Sequence, residues 1–156
     1  MRVILALTPA LLYLPVVEDS EVKNDILISY WYSRTSKSTF DEMLNGCIRA
    51  KKKMILDSGV FTARKRGITI PLQEYLDYCI RFKDKIEYFF NLDMGSTEEQ
   101  ISNFKTLVKN RVPTIGIVSN KMSFDEVRRF IDIYPYIGIS YSAIGGTSSS
   151  KDYHIS

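Results

Sequence analysis

Two aspartates carry most of the chemical promise of this chain. Asp57 stands in Met54-Ile55-Leu56-Asp57-Ser58-Gly59 and Asp93 in Asn91-Leu92-Asp93. Each closes a short apolar run of the kind that forms a buried strand. Ligands of parallel α/β sheets sit at the carboxyl ends of the strands. Carboxylates there can pair with the N–H edge of a ligand, and two that converge raise one another's pKa. Two later runs end similarly, one at Ser119-Asn120 and one at Ser140, followed by Ser142 and Gly145-Gly146. Glycines at such ends let backbone N–H groups come close to a ligand. The same residue types also cap helices and turn chains. Ser96 already serves as the cap after Asp93, and Asp57 is expected to precede its helix by more than ten residues.

Other candidates are weaker. Arg64-Lys65-Arg66 reads as a solvated basic loop or as a phosphate clamp beside the strand ends. Tyr30, Trp31 and Tyr32 read as core aromatics, with one ring free to stack on a base. The only cysteines are Cys47 and Cys79, and the only histidine is His154. A structural zinc site needs four such ligands in close pairs, so no metal and no cofactor are expected. The cysteines fall on apolar helix faces and read as reduced core residues of a cytoplasmic protein. Walker, G-x-G-x-x-G and G-x-S-x-G motifs do not occur.

The elements that must position these residues alternate. Strands are expected at 3–7, 26–32, 54–56, 86–92, 114–118 and 137–140, with an extended piece at 11–17. Helices are expected from the Ser36–Thr39 cap region to about residue 53, from Pro71 to Phe82, from Ser96 and from Ser123. Strict alternation from residue 26 onward predicts a parallel sheet covered by helices with right-handed connections. A full eight-unit barrel needs about 250 residues, roughly 31 per unit. The 156 residues present therefore hold about five units. The predicted fold is α/β: a partial (βα) TIM-type barrel of about five parallel strands, with an open flavodoxin-like sheet as the alternative. Residues 1–146 form one domain, and 147–156 a Ser-rich tail. Net charge is only +3, which does not by itself argue for nucleic-acid binding. The apolar N-terminus lacks a cleavage site, and no run of 18 apolar residues spans a membrane.

At Asp57-Ser58-Gly59-Val60-Phe61 the chain resembles the tRNA-guanine transglycosylase superfamily, closest to its phage and bacterial branch that places 7-deazaguanine bases in DNA. That family carries an Asp-Ser-Gly-x-Phe signature after a barrel strand. Asn91-Leu92-Asp93, Gly116-Ile117-Val118-Ser119, and Ile137-Gly138-Ile139 with Gly145-Gly146 are similar to later landmarks, in the same order. The resemblance implies a pentosyltransferase-like protein that exchanges a guanine-type base in tRNA or DNA. It implies that Asp57 contacts the base or moves a proton and that Asp93 reads the N–H edge. Ser58, Gly59, Phe61, Ser119, Gly145 and Gly146 would surround the base. Ser119 replaces a glutamine of the tRNA enzymes, which shortens that contact. The family's nucleophilic aspartate lies beyond its glycine pair, so a second copy or another chain is expected to complete the barrel and supply it. Two other readings stay open: a non-catalytic nucleobase-binding viral protein, and a structural module that pairs through its sheet edges.

Overall fold

The computed structural model describes residues 4–7, 25–118 and 122–139. Six strands form one sheet: β1 (Ile4–Leu7), β2 (Asp25–Ser29), β3 (Met54–Asp57), β4 (Tyr88–Phe90), β5 (Thr114–Val118) and β6 (Ile137–Ile139). Every neighbouring pair is parallel, and the strand order follows chain order without reversal. The sheet curls as a half-barrel with flanking helices. The additional strand beyond the expected five is β1, the 3–7 run. The piece at 11–17, the tail 147–156 and Ser140 lie outside the described residues.

The helices are α1 (Trp31–Thr35), α2 (Lys37–Arg49), α3 (Val60–Lys65), α4 (Leu72–Phe82), α5 (Thr97–Lys109) and α6 (Phe124–Ile133). They cover one face of the sheet. Ile26, Ile28, Met54, Leu56 and Phe89 pack there against Phe40, Met43 and Cys47 of α2 and Tyr75, Leu76 and Cys79 of α4. Both cysteines are free and buried, as the helical spacing predicts. A smaller cluster joins Ile101 and Phe104 of α5 to Phe130 of α6 and Tyr134. On the other, concave face, Leu27, Ile55, Tyr88, Phe90 and Ile115 line a cavity of about 380 Å³.

Two elements differ from expectation. The aromatic run 26–32 is not one strand. The ladder ends at Ser29, and Trp31 opens a short helix tied by bonds from Ser33 Oγ to the Tyr30 carbonyl and Thr35 Oγ1 to the Trp31 carbonyl. Tyr30 is buried by edge-on packing against Tyr75 and Tyr78. Burial alone favours the same aromatic residues in a strand or in a buried helical turn. The segment after Gly59 is not a loop either. Val60 and Ala63 bury one side of α3, so Arg64 and Lys65 are its last turn. Asp57 thus precedes a helix by only three positions, not by more than ten.

Candidate functional site

The parallel register sets Ser29 at the end of β2 beside Asp57 at the end of β3. Asp57 shares a sheet side with Ile55, so its carboxyl lies at the rim of the concave face. Its Oδ2 accepts the Gly59 N–H at 3.0 Å, and Ser29 donates to the same carboxylate. Gly59 has a φ of +78°, and a Cβ there would stand 2.8 Å from the Trp31 nitrogen and 2.9 Å from Ser29 Oγ. Only glycine fits both the backbone and the space. Its α-carbon therefore faces Ser29 and Trp31, and Gly59 holds Asp57 rather than lining the cleft.

Ser58 is buried and donates from Oγ to Asp93 Oδ1 at 2.9 Å. Arg64 Nη2 donates to the Asp93 carbonyl oxygen at 3.4 Å. These bonds tie the ends of β3 and β4 into one cleft of about 180 Å³. Asp57, Ser58 and Asp93 supply its polar side. Phe61, Phe90, Ile117 and Ile139 supply its apolar walls. Behind Phe90, the buried Tyr75 hydroxyl donates to the Phe90 carbonyl at 2.7 Å.

Both carboxyls keep their protons to higher pH than ordinary carboxylates. For Asp57 the main cause is burial, opposed by the Gly59 and Ser29 hydrogen bonds and reinforced by the Asp93 charge. For Asp93 the main cause is again burial, opposed by Ser58 and by the Arg64 guanidinium. The Ser58 bond and the Arg64 charge favour ionisation of Asp93, whose charge then helps to hold the proton on Asp57. The pair can present an acceptor and a donor side by side, or pass a proton to a bound group.

The remaining sequence candidates divide. Phe61 is 65% exposed at the cleft mouth. The basic triplet fans out: Arg64 reaches Asp93, the Lys65 ammonium lies 4.4 Å from the Phe61 ring centre, and Arg66 stacks over Trp31 at 5.4 Å. Ser119, Gly145 and Gly146 lie outside the described residues. Ser29, Phe90, Ile117 and Ile139 belong to the site without having been named as site residues, although Ile117 and Ile139 fall within the landmark runs. The available signal was strand parity: Ser29 and Phe90 share the sheet side of Asp57 and Ile55.

A second, polar cavity of about 480 Å³ adjoins the first and shares Asp93. Arg64, Thr97, Gln100 and Glu126 line it, with the Thr97 hydroxyl donating to Glu126. Among the described residues, no group of three or more His, Cys, Asp or Glu is arranged to hold a metal. No helix among them is long and apolar enough to cross a membrane. Comparison with protein-family models, curated proteins and solved structures gives no match.

Proposed function

We propose that the cleft binds a guanine-type base and that the protein takes part in transglycosylase-like base exchange in tRNA or DNA. The observation that carries this reading is the shared cleft of Asp57 and Asp93 between apolar walls. An apolar cavity of about 150 Å³ accepts a benzene-sized ring, so a cleft of about 180 Å³ suits a small planar heterocycle, seated beside Phe90. Guanine offers adjacent N–H donors on one edge. Ionised Asp93 accepts them, and protonated Asp57 donates to a ring acceptor or moves a proton as the base leaves or arrives. Arg64 stands beside Asp93, where it favours the ionised form.

A purely binding role is the second reading, and one observation favours it. Among the described residues only two carboxylates line the cleft, and both are held by neighbours. Neither is poised as a glycosyl nucleophile.

Calorimetry with guanine, 7-deazaguanine and adenine tests recognition. Guanine-type bases are expected to bind and adenine not to. Asp93→Asn should weaken binding about 10- to 100-fold, the worth of a hydrogen bond to a charged group. Equal binding of adenine, no binding at all, or an unaffected Asp93→Asn variant overturns the reading. Labelled guanine incubated with tRNA or DNA then separates exchange from binding alone.

A further inference from the structure

The end of the sheet opposite the cleft is strongly basic. β3, β4 and β5 are adjacent, so their N-terminal ends stand side by side. The segments leading into them carry Arg49, Lys51, Lys52 and Lys53; Lys83 and Lys85; and Lys109 and Arg111. Eight of the 21 cations of the chain lie there against Asp84 and Glu87 of its 18 acids, with Asp25 at the start of the neighbouring β2 accepting the Lys53 N–H at 3.2 Å. The small net charge hides this division, because the rest of the chain is net negative.

Part of this charge builds the loops. Lys53 pairs with Glu87 at 2.8 Å, and Lys83 Nζ donates to the Asn110 carbonyl at 3.2 Å. Lys51, Lys85, Lys109 and Arg111 are exposed and make no ion pair among the described residues. Lys51 and Arg111 follow the ends of α2 and α5 with φ of 55° and 59°. That left-handed position is usually glycine or asparagine, and a long cation there costs backbone energy. The helix dipole accounts for a cation in each last turn, but not for Lys51, Lys52, Lys53 and Lys85 beyond it.

We infer that this face binds the phosphate backbone of nucleic acid without reading sequence. Three neighbouring strand ends span about 10 Å, the length of about three phosphates on each strand of a duplex. Lysines contact phosphates as point charges and carry little base discrimination. Docking on an anionic membrane would call for apolar side chains among the cations. Within these loops Ile86 and Val112 are buried, and the exposed apolar residues beside the cations are Ile48 and Val108, on the helices that precede the loops. The inference does not depend on what the cleft binds.

Fluorescence anisotropy with a labelled random-sequence duplex tests it. Binding is expected at 50 mM salt and should weaken steeply by 200 mM. The variant Lys51→Asn, Lys85→Gln, Arg111→Asn keeps residues that suit the left-handed positions. It should bind at least tenfold more weakly, with a salt slope smaller by about three. The melting temperature should be equal or slightly higher, because asparagine suits the left-handed positions of Lys51 and Arg111. Failure to bind at low salt, an unaffected triple variant, or tighter binding to phosphatidylserine vesicles than to the duplex would overturn the proposal.

Discussion

Asp57 and Asp93 are held where their charged forms are disfavoured, and that has a consequence for stability. A carboxyl whose folded pKa is raised stays protonated in the native state where the unfolded chain has already released its proton. Stability therefore falls as pH rises from the ordinary carboxylate range through the raised folded value. Both residues shift in this direction, chiefly through burial. Asp57→Asn keeps an oxygen for the Gly59 N–H and removes the charge. It is expected to melt higher than the parent at pH 7, with the gap shrinking toward pH 4. A gap that widens on acidification would show that the Asp57 charge stabilises the fold. Ligand affinity should rise as pH climbs through the raised pKa of Asp93 and fall once Asp57 gives up the proton it donates, which calorimetry across a pH series would register.

At the scale of elements, the turn from β3 into α3 decides whether the site exists. Gly59→Ala forces a Cβ against Trp31 and Ser29 in a left-handed backbone. It should cost about 1–3 kcal/mol in denaturant melts and weaken base binding, because Ser29 and Gly59 are what hold Asp57. Ser96→Ala removes only one half of a capping box on α5. It should cost about 1 kcal/mol and leave base binding intact. The contrast separates a helix that supports the fold from a turn that supports the site. The β/α alternation was legible in sequence because apolar runs and cap residues recur with clear periods. The strand end at Asp57 followed directly, whereas the strand expected over 86–92 is only Tyr88–Phe90 and stops three residues before Asp93. The short helices α1 and α3 were not legible: five or six residues give too few turns for a helical period to show. The same blindness hid the fanning of Arg64, Lys65 and Arg66. Their divergence depends on helix geometry that a loop reading does not contain. Capped helices can mislead too, since α6 starts at an expected capping box yet leaves Phe124 and Ile131 exposed.

For the molecule as a whole, the two sides of the sheet have unequal fates. Helices seal one side, with Ile26, Ile28, Leu56 and Phe89 essentially inaccessible. On the concave side the walls of the larger apolar cavity share Phe90 and Gly138 with the cleft. The cleft at the strand ends is thus continuous with an apolar surface running down the half-barrel. Half-buried apolar residues line this face, and a parallel sheet is ordinarily covered on both faces. We expect a second copy of the chain to cover it. Sedimentation velocity should then show concentration-dependent association, and Ile115→Lys, which sets a charge in the middle of the concave face, should shift the protein to monomer with its circular dichroism spectrum retained. A parent protein that stays monomeric across the same concentrations would mean that the face is covered within the chain, and Ile115→Lys would then lower the melting temperature rather than the mass.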